Sequence, residues 1–145
     1  MIRFFLIALA LVCAQAFADS TNEVDTCMAK AAALHRVDLR VLRAIAKVES
    51  DMNPKAVGKI NKNGTSDTGL MQINDWWLPT LAKHGIKKSD LFDACTSAYV
   101  GAWILSQSIQ QYGPTWRAVG AYNSPTEKYQ QVYADRVNKA LAQRP

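Results

Sequence analysis

The 145 residues are 49% hydrophobic and carry 17 basic against 12 acidic side chains, a formal net charge of +5. That length suits one domain and is enough to bury a core. The basic residues are dispersed and lack the stacking motif of a nucleic-acid module, so binding to nucleic acid is excluded and the charge reads as a solvated surface.

The chain opens with Arg3, an apolar run from Phe4 to Val12, and the small-x-small pattern Ala16-Phe17-Ala18. Residues 1–18 read as a signal peptide cut near Ala18, which leaves 19–145 as the domain and places it in the periplasm or outside the cell. The apolar run is shorter than the about 20 residues a membrane span requires, and no later stretch is long enough. Cys13 before the cut could suggest a lipid anchor, but the bulky Val12 next to it argues against one. Cleavage removes Cys13, so Cys27 and Cys95 remain in an oxidising compartment and are expected to pair as a disulfide, the alternative being two buried thiols.

Helical patterns dominate the chain after residue 18. The first covers about Glu23 to His35, and a second runs from Leu39 to about Ser50 with Asp38 as its cap and Pro54 closing it. Residues 53–74 are rich in Gly, Asn, Ser and Thr and predict loops with a short β-hairpin around Asn63-Gly64. Asp75 to Lys83 is helical again and ends at Gly85; a longer helix covers Thr96 to Tyr112, broken by Gly113-Pro114. Thr115 caps a short helix to Tyr122, and Ser124-Pro125-Thr126-Glu127 reads as a capping box for a last helix reaching about Leu141. The fold class is therefore mainly α, one compact helical domain with a small loop or β-hairpin region.

One residue stands out chemically. Leu42, Ile45, Ala46 and Glu49 fall at i, i+3, i+4 and i+7, so the Glu49 carboxyl shares a face with the buried stripe. Burial and the negative end of the helix dipole both favour its protonated form, which describes a general acid; the bland alternative is a side chain that swings out at a fraying helix end. Further on, Gly69 permits close backbone approach. Alternation would place the amides of Gln72 and Asn74 on one side of an extended run, where they could bond sugar hydroxyl and acetamido groups.

Glu49-Ser50, Gly69-Leu70-Met71-Gln72-Ile73-Asn74 and Ala121-Tyr122-Asn123 closely resemble the three ordered signatures of the lysozyme-like lytic transglycosylases. The resemblance runs from about Cys27 to the end, and Leu91 to Leu105 looks like the small members attached to conjugation, pilus and type III or IV secretion systems. It implies a lysozyme-like α+β fold, peptidoglycan glycan strands as substrate, Glu49 as the single catalytic acid/base, and a cleft involving Ser50, Gly69, Met71, Gln72, Asn74, Tyr122 and Asn123. Components of a secretion, pilus or conjugation machine are implied partners, a monomer is expected, and no cofactor or metal is called for. Two departures stand out: Ser124-Pro125 replaces the usual Ala-Gly after the tyrosine-asparagine pair, and Ser97 replaces an asparagine expected near the cleft.

Asn61 to Trp77 also looks like the β-region of animal c-type lysozymes, with Asp67 two residues before the glycine. A retaining hydrolase needs a second carboxylate, which Asp67 could supply; as a turn residue it would merely bond its own backbone. The readings left open are a lytic transglycosylase, a hydrolytic muramidase using Glu49 and Asp67, and a non-catalytic wall-binding module. Trp76, Trp77, Trp103 and Trp116 could stack on sugars, but in so small a domain core positions are the stronger expectation.

Overall fold

The computed structural model describes residues 23–143, so the signal-peptide reading of 1–18 lies outside the described residues. Helix α1 covers residues 23–35 and turns through Arg36, whose φ of 55° is left-handed, into α2 (Leu39–Ser50). Asp38 caps α2 as expected, its carboxylate accepting from the Arg40 amide at 2.7 Å. The helix ends at Ser50 as expected, but Pro54 is not what closes it: Asp51 and Met52 both adopt positive φ, and their amides donate back to Lys47 O and Ala46 O. Two consecutive left-handed residues terminate α2 without help from the proline.

The hairpin also lies elsewhere than predicted. Asn63-Gly64 forms a hydrogen-bonded loop between Asn61 and Thr65, while the ladder is β1 (Asp67–Thr68) against β2 (Ile73–Asn74), antiparallel, with Asp67 opposite Asn74. The tip is Gly69–Gln72, with φ of 81° at Gly69 and 47° at Gln72. The asparagine-glycine pair is a sound turn signal, but only the second turn is flanked by residues that bury a face, Thr68 and Ile73.

Beyond β2 come a 3-10 turn (Asp75–Trp77), α3 (Leu78–Ala82), and a 3-10 segment at Lys88–Phe92 that the sequence pattern did not indicate. Helix α4 (Ala94–Tyr112) begins two residues before the predicted Thr96, because the Asp93 carboxylate accepts from the Thr96 amide at 2.7 Å. Its first turn carries Cys95, bonded to Cys27 of α1 as a disulfide. Ala98, Gly101, Ala102 and Leu105 make α4 the central helix, and its small residues let the hairpin tip approach: a side chain at Gly101 would meet Met71 Cγ at 2.7 Å.

Helices α5 (Trp116–Asn123) and α6 (Glu127–Ala142) pack tightly on one another, with Gly120 against Gln130, and α6 also packs on α2. The predicted capping box does not form. Ser124 is extended and ends α5, its amide donating to Gly120 O, while Gln130 reaches back to the carbonyls of Ser124 and Pro125. Thr126 is left at the helix boundary with no side-chain cap bond. Of the four tryptophans, Trp77 and Trp103 pack against the core, whereas Trp76 is 70% and Trp116 43% exposed, against the core expectation for that pair.

Candidate active-site cleft

A cleft of about 230 Å³ separates the C-terminal end of α2 and helix α5 from the β-hairpin, and Glu49, Asp67, Gln72, Asn74, Tyr122 and Asn123 all line it. Asn61, Ile73, Trp77 and Ile104 complete the walls. Ser50, Gly69 and Met71 are not among the lining side chains. Ser50 Oγ donates to Leu70 O at 2.7 Å, tying the end of α2 to the hairpin tip. Gly69 lies against the backbone of Leu91, and Met71 is fully buried, its amide donating to Ser97 Oγ at 3.1 Å and its carbonyl accepting from the Tyr122 hydroxyl at 2.8 Å. These three build the frame behind the wall. Ser97 likewise sits beneath the tip, fully buried, rather than at the cleft where an asparagine was expected to reach.

Leu42, Ile45 and Ala46 are fully buried, and Glu49, one turn further along the same stripe, is half-buried at the cleft. Its carboxyl accepts a short hydrogen bond from the Tyr133 hydroxyl of α6. Burial is the largest influence and pushes the Glu49 carboxyl up to about 7, against the Tyr133 hydrogen bond; the Asp67 charge adds to the rise and Arg136 opposes it. Tyr122 and Tyr133 stack with ring centres 6.5 Å apart, and burial raises both phenols well above their ordinary range, so both hydroxyls stay protonated as donors. The result is a carboxyl that carries its proton near neutral pH and faces a second carboxylate across a polar cleft.

The amides behave differently from the alternation reading. Gln72, left-handed rather than extended, spends its Nε2 on Gly69 O at 2.9 Å and Ala56 O at 3.2 Å. Asn74 Nδ2 donates to Asp67 Oδ1 at 2.8 Å and Thr65 Oγ1 at 3.1 Å, while its Oδ1 accepts from the Trp76 amide. Asn74 thus orients Asp67, whose carboxylate bonds this side chain instead of closing a turn on its own backbone.

Tyr133 and Arg136 were missed by sequence reasoning. The signal was available in part, since Gln130, Tyr133, Ala134 and Val137 form the buried stripe of α6. That stripe says Tyr133 points inward, not that it meets a residue 84 positions earlier. Among the described residues no group of three or more His, Cys, Asp or Glu side chains gathers to hold a metal ion, and no helix is long and apolar enough to cross a membrane.

Residues 26–143 match the family described as the transglycosylase SLT domain. The chain belongs to that family. Among curated relatives, it is 45% identical over 101 residues to the "Invasion protein IagB" of Salmonella typhimurium, a match covering 69% of this chain and 62% of that protein. It is 37% identical over 116 residues to "Protein IpgF" of Shigella flexneri, covering 77% and 76% respectively. The chain therefore spans less than two thirds of the IagB length. Among solved structures, an inactive mutant of the lytic transglycosylase Slt from Pseudomonas aeruginosa superposes with a TM-score of 0.64 at 21% identity, over 80% of this chain and 23% of that one. For this SLT-domain chain the likeness establishes the lysozyme-like, mainly α fold with its small sheet, as the sequence resemblance implied.

Proposed function

We propose that the protein is a peptidoglycan lytic transglycosylase that cleaves the bond between N-acetylmuramic acid and N-acetylglucosamine, with Glu49 as acid and then base. The observation that carries this reading is the half-buried Glu49 carboxyl held at about 7 in a polar cleft, inside a chain of the SLT-domain family. Glu49 protonates the glycosidic oxygen as the bond from that oxygen to the muramic C1 breaks, and the substrate's N-acetyl group stabilises the cation. The Glu49 carboxylate then takes the proton of the sugar's own O6 hydroxyl as O6 bonds C1. An anhydro ether closes, Glu49 regains its proton, and no water enters the product. Tyr133, donating to the Glu49 carboxyl, steadies it in the charged interval between the two steps.

Mass spectrometry of fragments released from purified peptidoglycan tests the reaction type. Fragments ending in anhydro-muramic acid, one water lighter than hydrolysis products, are expected. Reducing-end muramic acid would make the protein a muramidase with Asp67 as second carboxylate, a reading favoured by the position of Asp67 on the same cleft. No fragments at all would leave a wall-binding module.

Because the acid must enter protonated, kcat/KM is expected to fall as pH rises through about 7, the value to which burial lifts Glu49. A pH–rate profile of fragment release checks this, and an alkaline limb in the ordinary carboxylate range would contradict the burial argument.

The name of one relative, an invasion protein, supports local opening of the cell wall for a trans-envelope secretion apparatus, whereas the pilus and conjugation alternatives rest on the sequence resemblance and export after cleavage near Ala18 rests on Ala16-Phe17-Ala18. Ser50, Gly69 and Met71 then serve the reaction by holding the frame, while Gln72, Asn74, Tyr122 and Asn123 form the substrate wall.

A further inference from the structure

A ladder of two residues per strand cannot fix its own position, since even longer isolated hairpins are marginal in water. Yet this ladder carries Asp67 and Asn74 into the cleft. Its tip is held from below, where Ser97 meets the Met71 amide and Gly69 rests on the Leu91 backbone. Strand β1 is also bridged by residues 56–58, the Gly58 amide donating to Asp67 O and the Gly69 amide to Ala56 O, both at 2.8 Å, and the open end of the ladder carries one cation. Lys88 Nζ lies 2.7 Å from Asp75 Oδ1 and 2.9 Å from both Asp75 Oδ2 and Ser66 Oγ. Asp75 Oδ2 also accepts from the Ser66 amide at 2.9 Å, and the Asp75 amide donates to Ser66 O at 3.0 Å. Ser66 and Asp75 directly precede and follow the Asp67–Asn74 pair. The Asp75 side chain is 22% and Lys88 43% exposed, and what sets this pair apart from a bare surface bridge is that Ser66 bonds both partners, so the ammonium joins the two strand ends.

Resting on the glycan-cleaving reading above, we propose that Lys88 is a positioning residue for the cleft: its ammonium clamps the open end of the hairpin and so sets Asp67 and Asn74 relative to Glu49. The groups that face Glu49 are Asp67 from β1, Tyr122 from α5, and Tyr133 and Arg136 from α6. Of these only Asp67 rides on the clamped hairpin, and its charge pushes the Glu49 carboxyl upward. Releasing the clamp therefore weakens that push and leaves the α5 and α6 contributions in place.

The test compares wild type, Lys88→Met and Lys88→Arg on solubilised glycan strands. In Lys88→Met, turnover of bound substrate is expected to fall about tenfold, the scale of a sub-ångström misplacement. The alkaline limb of its pH profile moves to lower pH, and the amides of Ser66 and Asp75 exchange hydrogen faster. Lys88→Arg restores all three. Should the methionine variant fail to fold, Asp75→Asn removes the charge pair while keeping an acceptor for Ser66, and the same changes are expected. A folded variant with wild-type turnover and an unmoved limb overturns the proposal, as does an arginine that restores nothing. An inactive wild type overturns the cleavage reading, whereas unchanged exchange at Ser66 and Asp75 beside an active wild type overturns this proposal alone.

Discussion

Replacing Glu49 by glutamine is expected to cut fragment release from purified peptidoglycan by about a thousandfold while making the folded protein more stable at neutral and alkaline pH. The two effects have one cause. The buried carboxyl titrates at about 7 in the folded chain and at its ordinary 4.5 once unfolded. Between those values the folded state keeps a proton that the unfolded state has released, so stability falls as pH rises through this window. Below it, both states are protonated and the group costs nothing through linkage. Above it, the buried charge costs on the order of 3 kcal/mol. Glutamine never ionises, and its Oε1 can still accept from the Tyr133 hydroxyl. Thermal melts of the two proteins should therefore agree in their pH dependence below 4.5, separate as pH rises toward about 7, and keep a constant gap above it. Equal melting temperatures across that range would mean Glu49 is better solvated than its surroundings imply, and equal activity would remove it from the chemistry.

The largest effect on stability away from the acid is expected at Gly69. An alanine there must hold a left-handed φ of 81°, and its Cβ would overlap the carbonyl of Leu91, a fully buried residue whose backbone cannot withdraw without moving the Lys88–Phe92 segment. Strain and overlap together should cost about 3 kcal/mol in urea unfolding. Gly64 provides the control, because its φ of 79° is nearly the same but nothing lies within 4 Å of a Cβ built on it. Gly64→Ala should cost only about 1 kcal/mol, the left-handed penalty alone. If the two variants lose the same stability, the close approach of the hairpin tip to Leu91 contributes nothing.

Much of the helical framework was legible from local rules. Asp38 capped α2 and Thr115 capped α5 where they were expected to, because a cap depends on a side chain and an amide two or three residues away. The failures arose where a distant contact outweighed a local signal. Asn63-Gly64 is a better turn pair than Leu70-Met71, yet the ladder forms at the latter, where Met71 is buried against Gly101 of α4. Ser124-Pro125-Thr126-Glu127 has the form of a capping box, yet the Ser124 hydroxyl accepts only from the Thr126 amide while its own amide ends α5 on Gly120 O, so the reciprocal bond with Glu127 is not made. The 3-10 segment at Lys88–Phe92 does have a local cap, the Asp90 carboxylate accepting from the Lys87 amide at 2.8 Å, but no apolar period marks it in the sequence.

The mainly helical class and the two cysteines available to pair after the predicted cleavage could be read from the sequence alone; helical period also put Glu49 on the apolar stripe of its helix, while the choice between a buried acid and a side chain swung out at the helix end stayed open at that level. What surrounds the Glu49 carboxyl follows from packing. Tyr133 and Arg136 reach it because α6 packs on α2, and Asp67 faces it because a two-residue ladder is held by the Gly58 amide, Ser97, Leu91 and Lys88. Sequence periodicity fixes the face a side chain occupies, but the charge and hydrogen bonds it meets there come from segments far away in the chain, and those are set by packing.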